Sequence, residues 1–317
     1  MIAPPLLVSF TSLDDYLSAL SPELKEEFGQ EIRDLHSKRF PLVVSSRCLS
    51  VLFGFSTKFI NAMRLGNERY YREFTIRQGR KKRKIQAPKV ALKVIQKWFS
   101  HHLSQVLPVE DYVFGFVPGR SAVDAAARHC GAQWVYSIDI KDFFTSTDAD
   151  TVRQALLNLG YSAKGCDLMV PLCCFGDNLA QGAPSSPVLS NLVMKDVDSR
   201  LKEISETHGV TFTRYADDIV FSNSGTFPDE IKALVSEVFN ATCWTLSDKK
   251  CRLAEVAKGQ RLKVHGLLVH GDKPRLTKGY RNRIRAYEHL LNAGKIHPND
   301  EPRIRGHIKY AKSVGDY

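Results

Sequence analysis

The sequence has no CxxC pair, although it holds seven cysteines, at positions 48, 130, 166, 173, 174, 243 and 251. Without that spacing a zinc ribbon or finger is not expected. Thiols scattered in this way suit a reducing compartment, where they are buried rather than bridged. Long apolar runs are missing as well, so no membrane-spanning helix is expected. The opening MIAPPLLVSF has no basic stretch before its apolar residues and soon turns polar, so no signal peptide is expected either. These absences point to a cytoplasmic protein with no membrane partner. There are no internal repeats or low-complexity tracts, which argues against a repeat array. Acids are the scarcer charge, 34 against 45 lysines and arginines, a formal balance of +11. A basic surplus of that size points to a polyanionic partner, nucleic acid first.

What is present fills a globular chain. Of 317 residues, 43% are hydrophobic, enough for a proper core in one large domain or two to three subdomains. The positive charge is concentrated. Residues 77–97 hold nine basic residues and no acid, and 258–285 hold nine more, opposed by Asp272 alone. Two such blocks are suited to gripping a phosphate backbone, unless they are simply solvated faces. Residues 12–67 read as short helices, with Ser21 and Ser56 placed to cap two of them. REFTIR (72–77) alternates as a strand, Gln78-Gly79 reads as a turn, and the chain returns through basic residues to Ile85. A helix is expected after Pro88, carrying Leu92, Ile95, Trp98, Phe99 and Leu103 on one face. Trp134–Ile140 reads as a strand, followed by a helix that Gly160 stops. Ser186-Pro187 opens what reads as one long helix to Ile204. Strand-like pieces are expected near 244–246 and 262–269, and the last 38 residues read as basic helices. This order suits an α+β core with flanking subdomains.

The chemistry-bearing residues are acids at strand ends. Asp139 closes one apolar strand. Asp217 and Asp218 stand together in TFTRYADDIVFS, between two apolar runs that read as a hairpin. Adjacent like charges raise one another's pKa unless a cation compensates. Three carboxylates in one cleft are what a pair of hard divalent cations needs. Two such ions about 3.5–4 Å apart hold the attacking and leaving oxygens of an in-line phosphoryl displacement. Taken alone, adjacent aspartates more often mark an exposed turn. The flanking Phe212, Tyr215, Ile219, Val220 and Phe221 argue for a buried hairpin instead. Between the acid-bearing strands lies QGAPSSP (181–187), whose small residues would let a ligand approach a helix N-terminus.

In order and spacing these segments resemble a reverse transcriptase over roughly residues 70–270. SIDIKDFF (137–144) is similar to the family's first palm motif, QGAPSSPVLSNL (181–192) to the motif that packs on template and nucleotide, and TRYADDIVF (213–221) to its YxDD box. SDKK (247–250) and KVHGLLV (263–269) resemble the lysine-bearing motif and the primer-grip hairpin. The resemblance implies a right-hand polymerase fold with fingers, a palm of antiparallel sheet plus helices, and a small helical thumb. The corresponding division is 1–130 for N-terminal helices and fingers, 131–255 for the palm with a fingers insertion near 161–187, and 256–317 for primer grip and thumb. It implies two Mg²⁺, with Mn²⁺ as a substitute, held by Asp139, Asp217, Asp218 and the carbonyl oxygen of Ile140. Phe144 falls at the steric gate, where an aromatic ring would exclude a ribonucleotide's 2′-OH; the alternative is a core aromatic beside Phe143. Gln181 and Gly182 would contact nucleotide and template. Arg83 is the candidate for gripping the triphosphate, with Arg77 and Lys81 as weaker ones. Lys250 would protonate the leaving pyrophosphate, with Lys249 as competitor. Arg281, Arg283 and Arg285 would follow a phosphate backbone from the thumb.

The compact layout is most similar to bacterial retron enzymes. There is no room for an RNase H, an integrase or a long maturase domain. The resemblance implies dNTP substrates, a structured non-coding RNA as template and primer, and a branched msDNA product primed from an internal 2′-OH. It further implies an antiviral role with a neighbouring effector protein. Two elements depart from the retron pattern. AAARH (125–129) keeps the histidine of NAxxH and loses its asparagine; Val264-His265-Gly266 replaces VTG. Both elements concern the retron's own RNA. His129 and His265 are therefore either RNA contacts or a packed residue and a solvent-facing strand residue. The alternatives are a non-retron bacterial defence-associated reverse transcriptase with a different RNA template, an RNA-dependent RNA polymerase, and a polymerase fold that only binds nucleic acid.

Overall fold

A computed structural model describes residues 4–78 and 81–315. The turn expected at Gln78-Gly79 and the side chain of Lys81 lie outside the described residues. In chain order the elements are helices α1 (Leu13–Ala19), α2 (Pro22–Ser37), α3 (Ser46–Phe53) and α4 (Thr57–Leu65), strands β1 (Tyr71–Gln78) and β2 (Lys81–Pro88), helices α5 (Val90–Val106) and α6 (Ala122–Ala127), strand β3 (Trp134–Asp139), helices α7 (Phe143–Ser146), α8 (Ala149–Leu159) and α9 (Ala163–Cys173), and strands β4 (Cys174–Phe175) and β5 (Asn178–Leu179). Helices α10 (Ser186–Val193) and α11 (Lys195–Thr207) follow, then strands β6 (Thr211–Tyr215) and β7 (Asp218–Asn223), helix α12 (Glu230–Asn240), strands β8 (Arg252–Glu255), β9 (Lys263–Val264) and β10 (Leu267–Leu268), and helices α13 (Lys278–Asn292) and α14 (Glu301–Val314). The mixture of helices with antiparallel sheets is the expected α+β class.

The chain divides into two compact units. One holds the residues up to Val109, Lys141–Asp196 and Thr242–Trp244. Its helices begin where side-chain oxygens can replace missing backbone partners: Ser21 accepts from Leu24 N and Ser56 from Phe59 N. Gly160, at φ 105°, ends α8 in the left-handed conformation that glycine adopts without strain. The apolar faces read from the sequence are inside. Leu24, Phe28, Ile32 and Leu35 of α2 are buried, as are Leu92, Ile95, Trp98, Phe99 and Leu103 of α5. Trp98 stands edge-on to Phe53, centroids 5.1 Å apart. Strands β1 and β2 pair without a break from Tyr71↔Pro88 to Gln78↔Lys81. The long helix expected from Ser186 is two helices, broken at Met194. Ser190 Oγ donates to Pro187 O, and Met194 relaxes to ψ −9°.

The other unit holds Glu110–Ile140, Val197–Ala241 and the described residues from Thr245 onward. Its centre is an antiparallel sheet ordered β6-β7-β3-β8. The β6 edge is not left open: Arg214 N donates to Tyr112 O at 2.9 Å and Phe114 N to Arg214 O at 2.8 Å. The strand expected at 244–246 is a single bridge, Ile140↔Leu246; the strand lies later, at β8. Ser247 explains the delay, since its N–H donates to Asp139 O and the chain turns there before pairing. At 262–269 the expected hairpin is present, β9 and β10 joined by a turn at His265-Gly266. His265 is therefore a turn residue, and its side chain is only 6% exposed, not a strand residue facing solvent.

Candidate active site

The acids meet through sheet register. Strand β3 pairs with β7 so that Asp139 stands directly opposite Asp218. Strands β6 and β7 close at Tyr215↔Asp218, leaving Ala216 and Asp217 as a two-residue turn. Ile140 N donates to Asp217 O at 3.2 Å, which ties the end of β3 to that turn. Asp139, Ile140, Asp217 and Asp218 therefore lie within one unit, at one end of one sheet.

The turn is held in a conformation alanine does not favour. Ala216 has φ 58°, a left-handed value that costs a residue with a β-carbon about 1–2 kcal/mol. Arg214 Nη1 donates to Ala216 O at 3.2 Å. Behind it, a β-carbon on Gly115 would lie 2.2 Å from Ala216 N, so only a glycine admits the chain there. Arg214 is itself fully buried and makes a two-pronged pair with Asp198 of α11, both contacts 2.6 Å.

Charge is crowded at the strand ends. Burial pushes the Asp217 carboxyl above the usual aspartate range, and the charges of Asp218 and Asp139 push it further. Lys250, in the turn before β8, places its ammonium against Asp139 Oδ1. Partial burial disfavours that ammonium, but its bond to Asp139 and the three carboxylate charges outweigh this and raise its pKa. Lys250 therefore stays protonated; both it and Lys249 are exposed, and Lys250 is the one that bonds Asp139. Among the described residues, no three Asp, Glu, His or Cys side chains converge tightly enough to hold an ion as they stand. The donor chemistry nevertheless fits a hard divalent cation. The side chains are all carboxylates, the charges of the other two raise the proton affinity of Asp217, and Asp139 already bonds a cationic group.

The residues expected to meet a nucleotide are in the other unit. Gly182, at φ 122°, brings its backbone against β2; a β-carbon there would meet Ile85 Cγ2 at 2.8 Å and Gln86 O at 3.1 Å. Gln86 N donates to Gln181 O at 2.8 Å, and Gln181 N donates to Gln86 Oε1. This fixes the 181–187 loop to the strand that carries Arg83, which is exposed and paired across the hairpin with Ile76. Phe143 is buried and packs on Trp244, whereas Phe144 beside it is half-buried, so Phe144 is not the core aromatic of the pair.

The expected RNA contacts divide. Val264 is 1% exposed and belongs to the core, which leaves Gly266 as the open residue of its triplet. On α13, Arg283 lies 5.9 Å over the Tyr280 ring and Arg285 is exposed. A helix sets Arg281 and Arg285 on one side and Arg283 on the other, so the three do not form one stripe. Tyr280 packs inward and shares a hydrogen bond with His307 of α14.

His129 is a strut. It is 1% exposed, with Nδ1 2.7 Å from Ser222 Oγ and Nε2 2.7 Å from Thr213 Oγ1, linking the end of α6 to β6 and β7. Burial, then the nearby His265, lower its pKa from 6.5 to about 3. Above pH 6.5 the ring is neutral in folded and unfolded chains alike. Below it, the unfolded chain gains a proton that the folded one refuses, and stability falls until about pH 3. Between pH 7 and 5 the wild type should lose about 2 kcal/mol more than His129→Gln, which keeps hydrogen-bonding groups without titrating. Urea melts at the two pH values check this; equal losses would remove His129 as the cause.

The sequence reading missed Arg214, Asp198 and Gly115. Asp198 had a visible signal, since it falls on the apolar stripe of α11 beside Val197 and Leu201.

Comparison with known proteins agrees with the motif order. The family described as reverse transcriptase (RNA-dependent DNA polymerase) matches residues 76–269. The retron Ec86 reverse transcriptase of Escherichia coli is 30% identical over 77% of this chain and 76% of its own length. The retron Mx65 reverse transcriptase of Myxococcus xanthus is 32% identical over 73% of this chain, which spans 58% of that relative. Among solved structures, a telomerase from Candida albicans aligns with a TM-score of 0.47 at 12% identity, over 70% of this chain and 50% of that one.

Proposed function

The chain belongs to the reverse transcriptase family, in its retron branch, and we propose that it copies a structured non-coding RNA into msDNA at the Asp139–Asp217–Asp218 site. As a family member it is an RNA-directed DNA polymerase, and the family works with divalent metal ions. The observation that carries the reading is the register that sets Asp139 opposite Asp218 with Asp217 in the adjoining turn. On this reading residues 131–255 are the palm, 1–130 with the insertion near 161–187 the fingers, and 256–317 the primer grip and thumb.

Asp139, Asp217, Asp218 and the Ile140 carbonyl would hold two Mg²⁺. When bound, the ions neutralise charge on the reacting phosphates and make the attacking hydroxyl a better nucleophile. The chain's own residues do the rest. Arg83 would grip the triphosphate, and Gln181 and Gly182 would line the nucleotide and template. Lys250, held protonated beside the acids, would supply a proton to the leaving pyrophosphate. A branched product primed from an internal 2′-OH, a neighbouring effector and an antiphage role follow from the retron reading.

The test is to express the gene with its upstream DNA and look for a short, abundant single-stranded DNA linked to RNA. RNase treatment should shorten it. If no such species forms while the purified protein still extends primers, the retron template is wrong and a different RNA is copied.

Phe144 supplies a second, independent prediction. Its ring is half-buried beside Phe143. Phe144→Ala should improve ribonucleotide use relative to dNTPs by about 10–100-fold, the worth of relieving a clash of 1–3 kcal/mol. Single-nucleotide incorporation kinetics measure the ratio; an unchanged ratio places the gate elsewhere.

A further inference from the structure

The β9–β10 turn points a strained side chain at the catalytic hairpin. His265 and Gly266 alone join Val264 to Leu267, with φ of 49° and 83°. Positive φ at both positions defines the tightest hairpin turn, for which Asn-Gly is the favoured pair. A ring-bearing residue at the first position is strained there. The turn is nevertheless firmly seated, because Leu262, Val264, Leu267 and Val269 all belong to the unit's core.

What the strained conformation achieves is direction. It turns the ring inward, to 6% exposure, instead of out into solvent as a turn residue ordinarily points. The ring centroid lies 5.1 Å from that of Tyr215, and Nδ1 lies 3.6 Å from Asp218 Oδ2. Nε2 is buried and has no hydrogen-bond partner among the described residues. Hydrogen bonding within the fold therefore does not explain where the ring sits; Tyr215 and Asp218 do.

Asp218 is the carboxylate that needs help. Asp139 is 6% exposed and bonded to Lys250, and Asp217 is half-buried in the turn. The Asp218 side chain is 51% exposed, and without a neighbour it would sample several rotamers. Its cross-strand partner is Tyr215, the same residue that packs on the imidazole. Ring against ring, and ring edge against carboxylate, make a three-residue contact between two separate hairpins.

We propose that His265 is a positioning residue for Asp218, narrowing its rotamers so that the carboxylate is already set when a divalent ion arrives. This rests on reading Asp218 as a metal-holding carboxylate. The effect needs only that the imidazole edge stand beside the carboxylate.

The experiment compares wild type, His265→Ala and His265→Asn; asparagine tolerates the left-handed turn and keeps a polar edge. Primer extension on an RNA template gives kcat and the KM values for dNTP and template–primer. Mn²⁺ binding to the free protein is followed separately by electron paramagnetic resonance. His265→Ala should lower kcat about ten-fold, leave both KM values within about two-fold, and weaken Mn²⁺ binding. His265→Asn should recover part of both losses, and it carries the test if the alanine variant does not fold. A rise in the template–primer KM with kcat and Mn²⁺ affinity unchanged would make His265 a primer contact and overturn the proposal. So would an alanine variant that matches wild type throughout. If wild type binds Mn²⁺ no better than Asp217→Asn, the carboxylate site itself has been misread, and the proposal goes with it.

Discussion

Asp217→Asn should abolish primer extension, lowering the rate by at least about a thousand-fold, equivalent to ~4 kcal/mol of transition-state stabilisation, while RNA binding stays within about two-fold. The substitution is nearly isosteric and removes one negative charge from a group that burial and two neighbouring carboxylates already hold above its normal pKa. The turn should survive, because Asp217 is tied to Ile140 through its backbone oxygen and not its side chain. Stability should hold or rise slightly, since a like-charge repulsion with Asp218 is relieved. What is lost is the ability to hold a divalent ion between strand ends. Primer extension with saturating Mg²⁺, run beside a filter-binding assay on the same RNA, separates the two effects. A variant that keeps a tenth of wild-type activity would mean that the metal-holding role lies elsewhere. One that loses RNA binding in parallel would mean that the substitution had disturbed the fold.

The site was legible in the sequence to the extent that it depends on short-range pattern. Asp139 at the end of an apolar strand and Asp217-Asp218 between two more were readable because register follows from alternation, and a one-residue slip would have turned the apolar side chains outward. The helix caps at Ser21 and Ser56 were readable for the same local reason. What could not be read depends on distant segments meeting. Gly115 is an ordinary glycine until its lack of a β-carbon is set against Ala216 N. For His129 the sequence left an RNA contact and a packed residue both open, and only Ser222 and Thr213 on its two nitrogens show the packed one. For His265 the sequence left an RNA contact and a solvent-facing strand residue both open. Positive φ at two successive positions is a property of the turn, and His-Gly announces it less clearly than Asn-Gly would.

The largest stability effect should come from Arg214. Replacing it with alanine leaves Asp198, 3% exposed, as a buried carboxylate without its guanidinium, and should cost about 3–5 kcal/mol. Urea denaturation at neutral pH measures this, and a loss below about 1 kcal/mol would show that the pair is not holding α11 to β6. The companion variant Arg214→Met with Asp198→Leu removes both charges and fills the space with apolar atoms. Replacing a buried ion pair in this way is often neutral, so its stability should return to within about 1 kcal/mol of wild type. Activity should not return with it. Arg214 Nη1 also donates to Ala216 O, and no methionine can replace that bond. Ala216 would keep φ 58° only through its packing on Gly115, and the turn carrying Asp217 would loosen. We therefore expect the double variant to be stable yet slower in kcat by about ten-fold, some 1.4 kcal/mol, with the dNTP KM little changed. Full activity in a stable double variant would mean that the guanidinium serves the fold alone. A stable, slow double variant would mean that one buried arginine serves two ends, joining helix to sheet through Asp198 and setting the catalytic turn through Ala216.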